Sequence, residues 1–80
     1  MTDTDRIAFL DSLLQRTEYV NKKMPKNYVK TTIHITGPDN CSIFARDIVG
    51  IIEFKGHGSS MREAIDEAIQ ARDKFEEKKR

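Results

Sequence analysis

The architecture of this chain is indicated most clearly by the stretch GHGSSMREAIDEA, which runs from Gly56 to Ala68. It follows a strand-like apolar run, and its two glycines permit positive φ angles and a close approach by a partner. Ser59 or Ser60 can cap a helix, with Glu63 placed three residues after Ser60 as in a capping box. We therefore expect a strand, a glycine turn and a helix whose exposed amides favour anions.

The helix that follows is predicted to run from about Ser60 to Lys78, with a charged last part that frays. Its apolar stripe falls at Ala64, Ala68, Ala71 and Phe75. By helical spacing, Met61 and Ile65 lie beside this stripe. Either they widen the core face, or they form an exposed apolar patch for a protein partner or a second copy. The sequence leaves both interpretations open.

The composition fits one small domain over residues 1–80, with an ordered core over about 5–76. The net charge is +1, from 14 basic and 13 acidic residues, so the basic balance typical of many nucleic-acid binders is absent. A basic surface must come from local clusters such as the lysines of 22–30 and the end at 78–80. The single cysteine, Cys41, weakly indicates a reducing compartment.

Several classes of protein are not expected from this sequence. No apolar run approaches the ~18 residues of a membrane span, and no signal-peptide pattern is present, so we expect an intracellular protein in the cytoplasm or nucleus. His34, Cys41 and His57 lack zinc spacing. Without a Ser-His-acid arrangement or a phosphate loop, we expect no enzyme, metal, cofactor or small-molecule substrate.

The first part of the chain predicts an amphipathic helix, capped within residues 2–5 and extending to about Val20. Its apolar positions are Ile7, Leu10, Leu13, Leu14 and less clearly Thr17. The alternation from Tyr28 to Thr36 predicts a strand. Its inner side chains are expected to be Val29, Thr31, Ile33 and Ile35.

Two more strands are predicted after the turn formed by Gly37, Pro38, Asp39 and Asn40. One runs roughly from Ser42 to Ile48, and the other from Ile51 to Lys55; a single long strand through Gly50 is the alternative. The result is an α+β fold of order α-β-β-β-α. Its three-stranded antiparallel sheet has both helices packed on one face and the other face open to water.

Two short motifs give this chain a family likeness. The turn matches a Gly-Pro-x-His loop, apart from Asn40 in place of histidine, and Phe44 follows at the expected distance. The last helix opens like Gly-x-Gly-x-Ser-Lys-Lys-x-Ala-Lys-x-x-Ala. Its matching residues are Gly56, Gly58, Ser60, Arg62, Ala64 and Ala68. Over nearly its whole length, and best over 37–68, the chain resembles a double-stranded RNA-binding domain.

The departures from that family concern residues that meet phosphate. Met61 and Ile65 stand in place of two lysines, and the acidic residues Glu63, Asp66 and Glu67 crowd the helix start. The segment over 25–37 is about two residues longer than usual, which blurs the register of the first helix and strand.

The resemblance implies shape-selective binding of duplex RNA across two minor grooves and the major groove between them. Gln15, with Asp11 and Glu18 as neighbouring candidates, would approach one minor groove. Gly37, Pro38, Asp39 and Asn40 would enter the next minor groove. The major-groove contacts would come from Lys55, His57, Ser59, Ser60 and Arg62.

Two other hypotheses stay open. The first is a domain of the same fold that acts through protein contacts or as a homodimer, with weak or no RNA binding; it is motivated by Met61 and Ile65. The second is an unrelated βββα module, as in small phage or toxin–antitoxin regulators. The sequence does not decide whether the chain is free-standing or part of a longer protein.

Overall fold

The chain folds in the order α-β-β-β-α, which confirms the predicted fold class. A computed structural model describes residues 1–19 and 21–78. Its elements are α1 (Asp3–Thr17), β1 (Lys30–Ile35), β2 (Cys41–Arg46), β3 (Ile52–Gly58) and α2 (Met61–Lys78). The sheet has the order β1-β2-β3, both strand pairs are antiparallel, and the two helices pack on one face.

The register divides the sheet residues between two faces. Cys41, Ile43 and Ala45 of β2 are buried beneath the helices. Directly opposed residues share a face, so the pairings of Cys41 with Gly58 and of Ile43 with Gly56 place both glycines on the helix side. We call the other side the open face. It carries Lys30, Thr32, His34, Ser42, Phe44, Arg46, Ile52, Lys55 and His57.

The hydrophobic core lies between the sheet and the helices. Its buried members are Phe9, Leu13, Val29, Cys41, Ile43, Ala45, Phe54, Ala64, Ile65, Ala68 and Ile69. The closest packing is between α2 and β3. A Cβ added at Gly56 would lie 2.7 Å from the Ala68 Cβ and would collide with the Ala64 carbonyl oxygen. Only glycine fits at this position, so the close approach expected of the glycines is confirmed, with α2 itself as the partner.

The predicted glycine turn before α2 is wrong. β3 continues through Gly58, and only Ser59 and Ser60 separate it from α2. Positive φ angles at glycine occur instead at Gly37 and Gly50, in the two hairpin turns. The glycines of β3 are needed for contact with the helix, and their φ angles are ordinary for a strand.

Helix α1 is capped within residues 2–5, as predicted, and the cap is a capping box formed by Thr2 and Asp5. The Asp5 N–H donates to Thr2 Oγ1 at 3.2 Å, and the Thr2 N–H donates to Asp5 Oδ2 at 3.1 Å. The helix ends at Thr17. Its predicted end near Val20 lies outside the described residues.

The buried face of α1 differs from the predicted stripe. Phe9 and Leu13 are buried, whereas Ile7 and Leu14 are each 57 % exposed. The cause is an aromatic contact, since the Phe9 ring packs 6.0 Å from the Phe54 ring. This contact turns Phe9 toward the sheet and Ile7 and Leu14 away from it.

Strand β1 is covered only at its start. Val29, just before the strand, is fully buried, but Ile33 and Ile35 are 48 % and 65 % exposed although they lie on the helix side. Their predicted burial is wrong because the end of α1 is anchored at Val29, where Thr17 Oγ1 donates to the Val29 carbonyl at 2.7 Å. An apolar groove remains, which we call the α1–β1 groove. It is lined by Leu10, Leu13, Leu14, Thr17, Thr31 and Ile33.

A tight turn over 47–51 joins β2 to β3, so the single long strand is wrong. Asp47 Oδ1 accepts the N–H groups of Val49 and Ile51 at 3.0 and 2.9 Å. Gly50 adopts a φ of 91°, which favours glycine.

We expect Gly56→Ala to destabilise the fold by about 3 kcal/mol, at the upper end of ordinary overpacking costs, because the added methyl group meets helix backbone that cannot rotate away. Lys55→Ala is the control, since Lys55 is its exposed neighbour in the same strand. Urea unfolding followed by circular dichroism measures both. Equal midpoints for the two variants would contradict this packing.

Candidate nucleic-acid interface

The β1–β2 turn is an exposed hairpin end held by its own polar groups. The Thr36 N–H donates to the Asn40 carbonyl at 3.1 Å, and Asn40 Nδ2 donates to Thr36 Oγ1 at 2.6 Å. Gly37, Pro38 and Asp39 between them are exposed. The middle residues of the turn are therefore exposed to solvent. One of the two N–H donors of the Asn40 amide forms a hydrogen bond within the turn.

The start of α2 lies at the same end of the sheet as this turn. Cys41, the first residue of β2, pairs with Gly58, the last residue of β3. Helix α2 begins three residues after Gly58. The register thus brings together the Gly-Pro turn and the Gly-x-Gly-x-Ser segment, which are separated in the sequence.

The start of α2 already holds a carboxylate. The Glu63 N–H donates to Ser60 Oγ at 3.2 Å, so Ser60 is the cap. Glu63 Oε2 accepts from Ser59 Oγ at 2.6 Å and from the Ser59 N–H at 2.9 Å. The hydroxyl bond, followed by the amide bond, lowers the pKa of Glu63. The Ser59 amide was expected to bind phosphate, but it already donates to the Glu63 carboxylate.

Arg62 is exposed, but it forms an ion pair with α1. Its Nε lies 3.0 Å from Asp3 Oδ1, and its Nη2 lies 3.1 Å from Asp3 Oδ2. The side chains of Arg62 and Asp3 are 70 % and 60 % exposed. Because both groups are hydrated, this pair is easily exchanged for another partner.

A second ion pair ties the first turns of the helices together. Arg6 donates to Asp66 through two bonds of 2.8 and 2.9 Å, and it also contacts Asp3 at 2.6 Å. Hydrogen bonds from Arg62 and then Arg6 lower the pKa of Asp3 to about 2. The bond from Arg6 likewise lowers the pKa of Asp66. The cluster formed by Asp3, Arg6, Arg62 and Asp66 is balanced in charge, so it supplies little net positive potential.

Lys55 and His57 do not lie beside Arg62, which corrects their predicted grouping. Strand alternation puts them on the open face, opposite Phe44 and Ser42. His57 Nδ1 lies 3.0 Å from Ser42 Oγ. The two residues flank Gly56, whose side of the strand faces α2, and so they point to the other side of the sheet.

Gln15 lies at the opposite end of the sheet from the β1–β2 turn. It is exposed in the last turn of α1, next to Arg16, whose carbonyl accepts the Val29 N–H at 3.4 Å. β1 starts just after Val29 and its six residues span about 20 Å. Gln15 and the turn are therefore far enough apart to reach different grooves of a duplex.

The exposed patch suggested for Met61 and Ile65 is absent. Ile65 is 5 % exposed and belongs to the core, and Met61 is half-buried and packs against it. Both residues widen the buried face of α2, because they lie on the side of the helix that packs against β3 and β2.

The most important feature not anticipated from the sequence is the open face around Phe44. Its neighbours Ile43 and Ala45 are fully buried, whereas Phe44 points to the other side of the sheet. The strict alternation of β2 was the signal that could have placed it there.

Comparison with protein-family models, with curated proteins and with solved structures finds no match to this chain. Within residues 1–19 and 21–78, no group of His, Cys, Asp and Glu side chains has an arrangement suited to a metal ion. No helix in the same ranges is long and apolar enough to cross a bilayer.

The ion pairs of Asp3 should give stability a small dependence on acid, because both partners of its pair with Arg62 are solvent-exposed. The Asp3 pKa falls from 3.8 to about 2 on folding. Stability from this group is therefore present above about pH 4 and is lost as pH falls toward 2. Melting temperatures from pH 5 to pH 2 should drop less in Asp3→Asn than in the unmodified protein.

Asp39→Asn is the matched control, because Asp39 is exposed and makes no ion pair within the described residues. This variant should follow the unmodified protein. An acid profile of Asp3→Asn that matches the unmodified protein would show that the ion pairs of Asp3 do not stabilise the fold.

Proposed function

We propose that this chain is a double-stranded RNA-binding module that recognises duplex shape with little sequence preference. The observation that carries the proposal is the pairing of Cys41 with Gly58, which sets the exposed β1–β2 turn beside the start of α2. A protruding turn and a helix start at one end, with α1 extending to the other, suit the alternating grooves of an A-form duplex.

The minor-groove contacts in this proposal are polar and uncharged. Gly37, Pro38, Asp39 and Asn40 are exposed. The carbonyl groups of the first three and the second donor of the Asn40 amide can bond 2′-hydroxyls. Gln15, about 20 Å away along β1, offers an amide that both donates and accepts. These contacts distinguish RNA from DNA, because the 2′-hydroxyl is the group that they read.

Arg62 supplies the phosphate contact by changing partners. Its ion pair with Asp3 is solvent-exposed on both sides, and such pairs contribute little to stability. A duplex phosphate can therefore take the guanidinium from Asp3. The Ser60 hydroxyl lies in the same exposed segment. Glu63 and Asp3 oppose the phosphate, which makes the predicted affinity modest and strongly dependent on salt.

Two charge variants should move duplex affinity in opposite directions. Arg62→Glu removes the phosphate contact and should weaken binding to a duplex of about 20 base pairs, long enough for the footprint of such a domain. It should also reduce the magnitude of the salt slope by about 0.9, the value for one phosphate contact. Asp3→Asn frees Arg62 and should strengthen binding. Fluorescence anisotropy titrations at several salt concentrations measure both.

Lys78→Glu is the control for charge reversal on the same helix. Lys78 is exposed and about 24 Å from Arg62 along α2, at about 1.5 Å per residue. If Lys78→Glu and Arg62→Glu weaken binding equally, the affinity depends on net charge alone and not on a specific contact of Arg62. Unchanged affinity in Arg62→Glu would exclude the start of α2 from the interface.

A second candidate function is protein binding through the α1–β1 groove. Leu14 of α1 and Ile33 of the edge strand β1 expose apolar surface there, and Ile35 is exposed farther along the same side of β1. The Thr31 hydroxyl in this groove is buried and has no hydrogen-bond partner within the described residues. Contiguous apolar surface of this kind is typical of interaction sites.

Sedimentation equilibrium and duplex titration separate the two candidates. A concentration-dependent dimer that Ile33→Lys abolishes, together with no duplex binding at moderate salt, would favour the protein-binding function. A monomer at all concentrations that binds duplex RNA would remove the homodimer. Leu14→Lys, which also charges the groove, checks that the effect belongs to the groove rather than to one strand.

A further inference from the structure

The open face is organised in three cross-strand rows. In one row, Arg46 lies opposite Lys30 on one side and Ile52 on the other. In the next, Phe44 lies opposite Thr32 on one side and Lys55 on the other. The third row is formed by His34, Ser42 and His57. Side chains of opposed residues are only about 5 Å apart at Cβ, so each row is a set of close neighbours.

The charges on this face are all of one sign. Lys30, Arg46 and Lys55 form no ion pair within the described residues. The only acidic residue of the three strands is Glu53. It pairs with Arg16 of α1 at 3.0 Å.

The pairing of Lys30 with Arg46 is itself unfavourable to the fold. Like charges directly opposed across two strands destabilise a sheet. A polyanion bound between them would relieve this repulsion, so the face is complementary to a chain of phosphates.

An aromatic ring lies at the centre of these charges. The Arg46 guanidinium carbon is 5.6 Å from the centroid of the half-buried Phe44 ring, within the range of a cation–π contact. The His34 ring meets the same ring edge-on, with centroids 6.4 Å apart. Phe44 points away from the core, so its ring lies on the side of the sheet that the helices do not cover.

We propose that the open face binds single-stranded nucleic acid. Phe44 and the Arg46 plane provide a surface on which bases stack, and Lys30, Arg46 and Lys55 hold the phosphates. Flat sheets with an aromatic platform accommodate about two or three bases in this way. Bases in a duplex are already stacked and cannot reach a flat sheet, which favours a single strand over a duplex at this site. The proposal uses a different surface from the duplex site and does not depend on it.

The test is a fluorescence anisotropy titration, in which the unmodified 80-residue protein is added to a labelled ten-nucleotide uridine RNA at several salt concentrations. Three phosphate contacts on a single strand give a slope of log K against log salt of about −2. Lys55→Gln should bring the slope to about −1.4, since one contact is lost. Phe44→Leu should weaken binding about tenfold while leaving the slope unchanged, because stacking carries no charge.

The controls separate this site from a general attraction to charge. Lys78→Gln, a matched loss of one lysine on the far part of α2, should leave affinity and slope unchanged. Arg62→Glu should affect the duplex and spare the single strand. Circular dichroism checks that Phe44→Leu is folded, and the exposed Lys55→Gln tests the same face without altering an apolar residue.

Three results would overturn the proposal. They are no binding of the uridine RNA at about 50 mM salt, equal affinity of folded Phe44→Leu and the unmodified protein, and equally tight binding of poly-glutamate. The last result would assign the face to acidic proteins. Failure of duplex binding would leave this titration unaffected, so the two proposals fail separately.

Discussion

The contact between Gly56 and the backbone of α2 is the constraint on which the rest of the structure depends. The Ala64 and Ala68 positions bring α2 onto β3 at a distance that excludes any side chain at Gly56. Ile65 and Ile69 on the same side of α2 are buried, and the Ser60 hydroxyl caps the start of the helix. With both helices on one side of the sheet, the open face and the end of the sheet carrying the β1–β2 turn remain accessible.

The same arrangement explains why the helix start is less cationic than the family likeness implies. Glu63 caps the Ser59 amide, and the Asp3 cluster links α2 to α1. These bonds connect the helix starts at the end where the family likeness would place lysines. The side chains that bind phosphate in the proposed function are therefore also used in the fold. Meanwhile, Lys30, Arg46 and Lys55 on the open face make no ion pair within the described residues.

The sequence predicted the element order, the antiparallel sheet and the start of α2, because each depends on local patterns. It placed Ala64 and Ala68 on the buried stripe of α2 but did not include Ile69. It did not predict the burial of Phe9 in place of Ile7, nor the exposure of Ile33 and Ile35. Those outcomes depend on the angle at which α1 crosses the sheet, which is set by Phe54 and Val29 from distant parts of the chain. The alternation of side chains along β3 was sufficient to place Lys55 and His57 on the open face. Because they are close to Arg62 in the sequence, they were instead grouped with it. The sequence identified the acidic residues Glu63 and Asp66 at the start of α2. It did not predict their hydrogen-bond partners, Ser59 and Arg6.

The proposed duplex recognition is tested most directly by titrating the unmodified protein with a 20-base-pair duplex, a length of about one footprint, as RNA and as DNA of the same sequence. We expect tighter binding to the RNA duplex at each salt concentration, because the β1–β2 turn and Gln15 read 2′-hydroxyls. Affinity for both should fall as salt rises. Equal affinity for the two duplexes, or no binding of RNA at low salt, would contradict the proposed function.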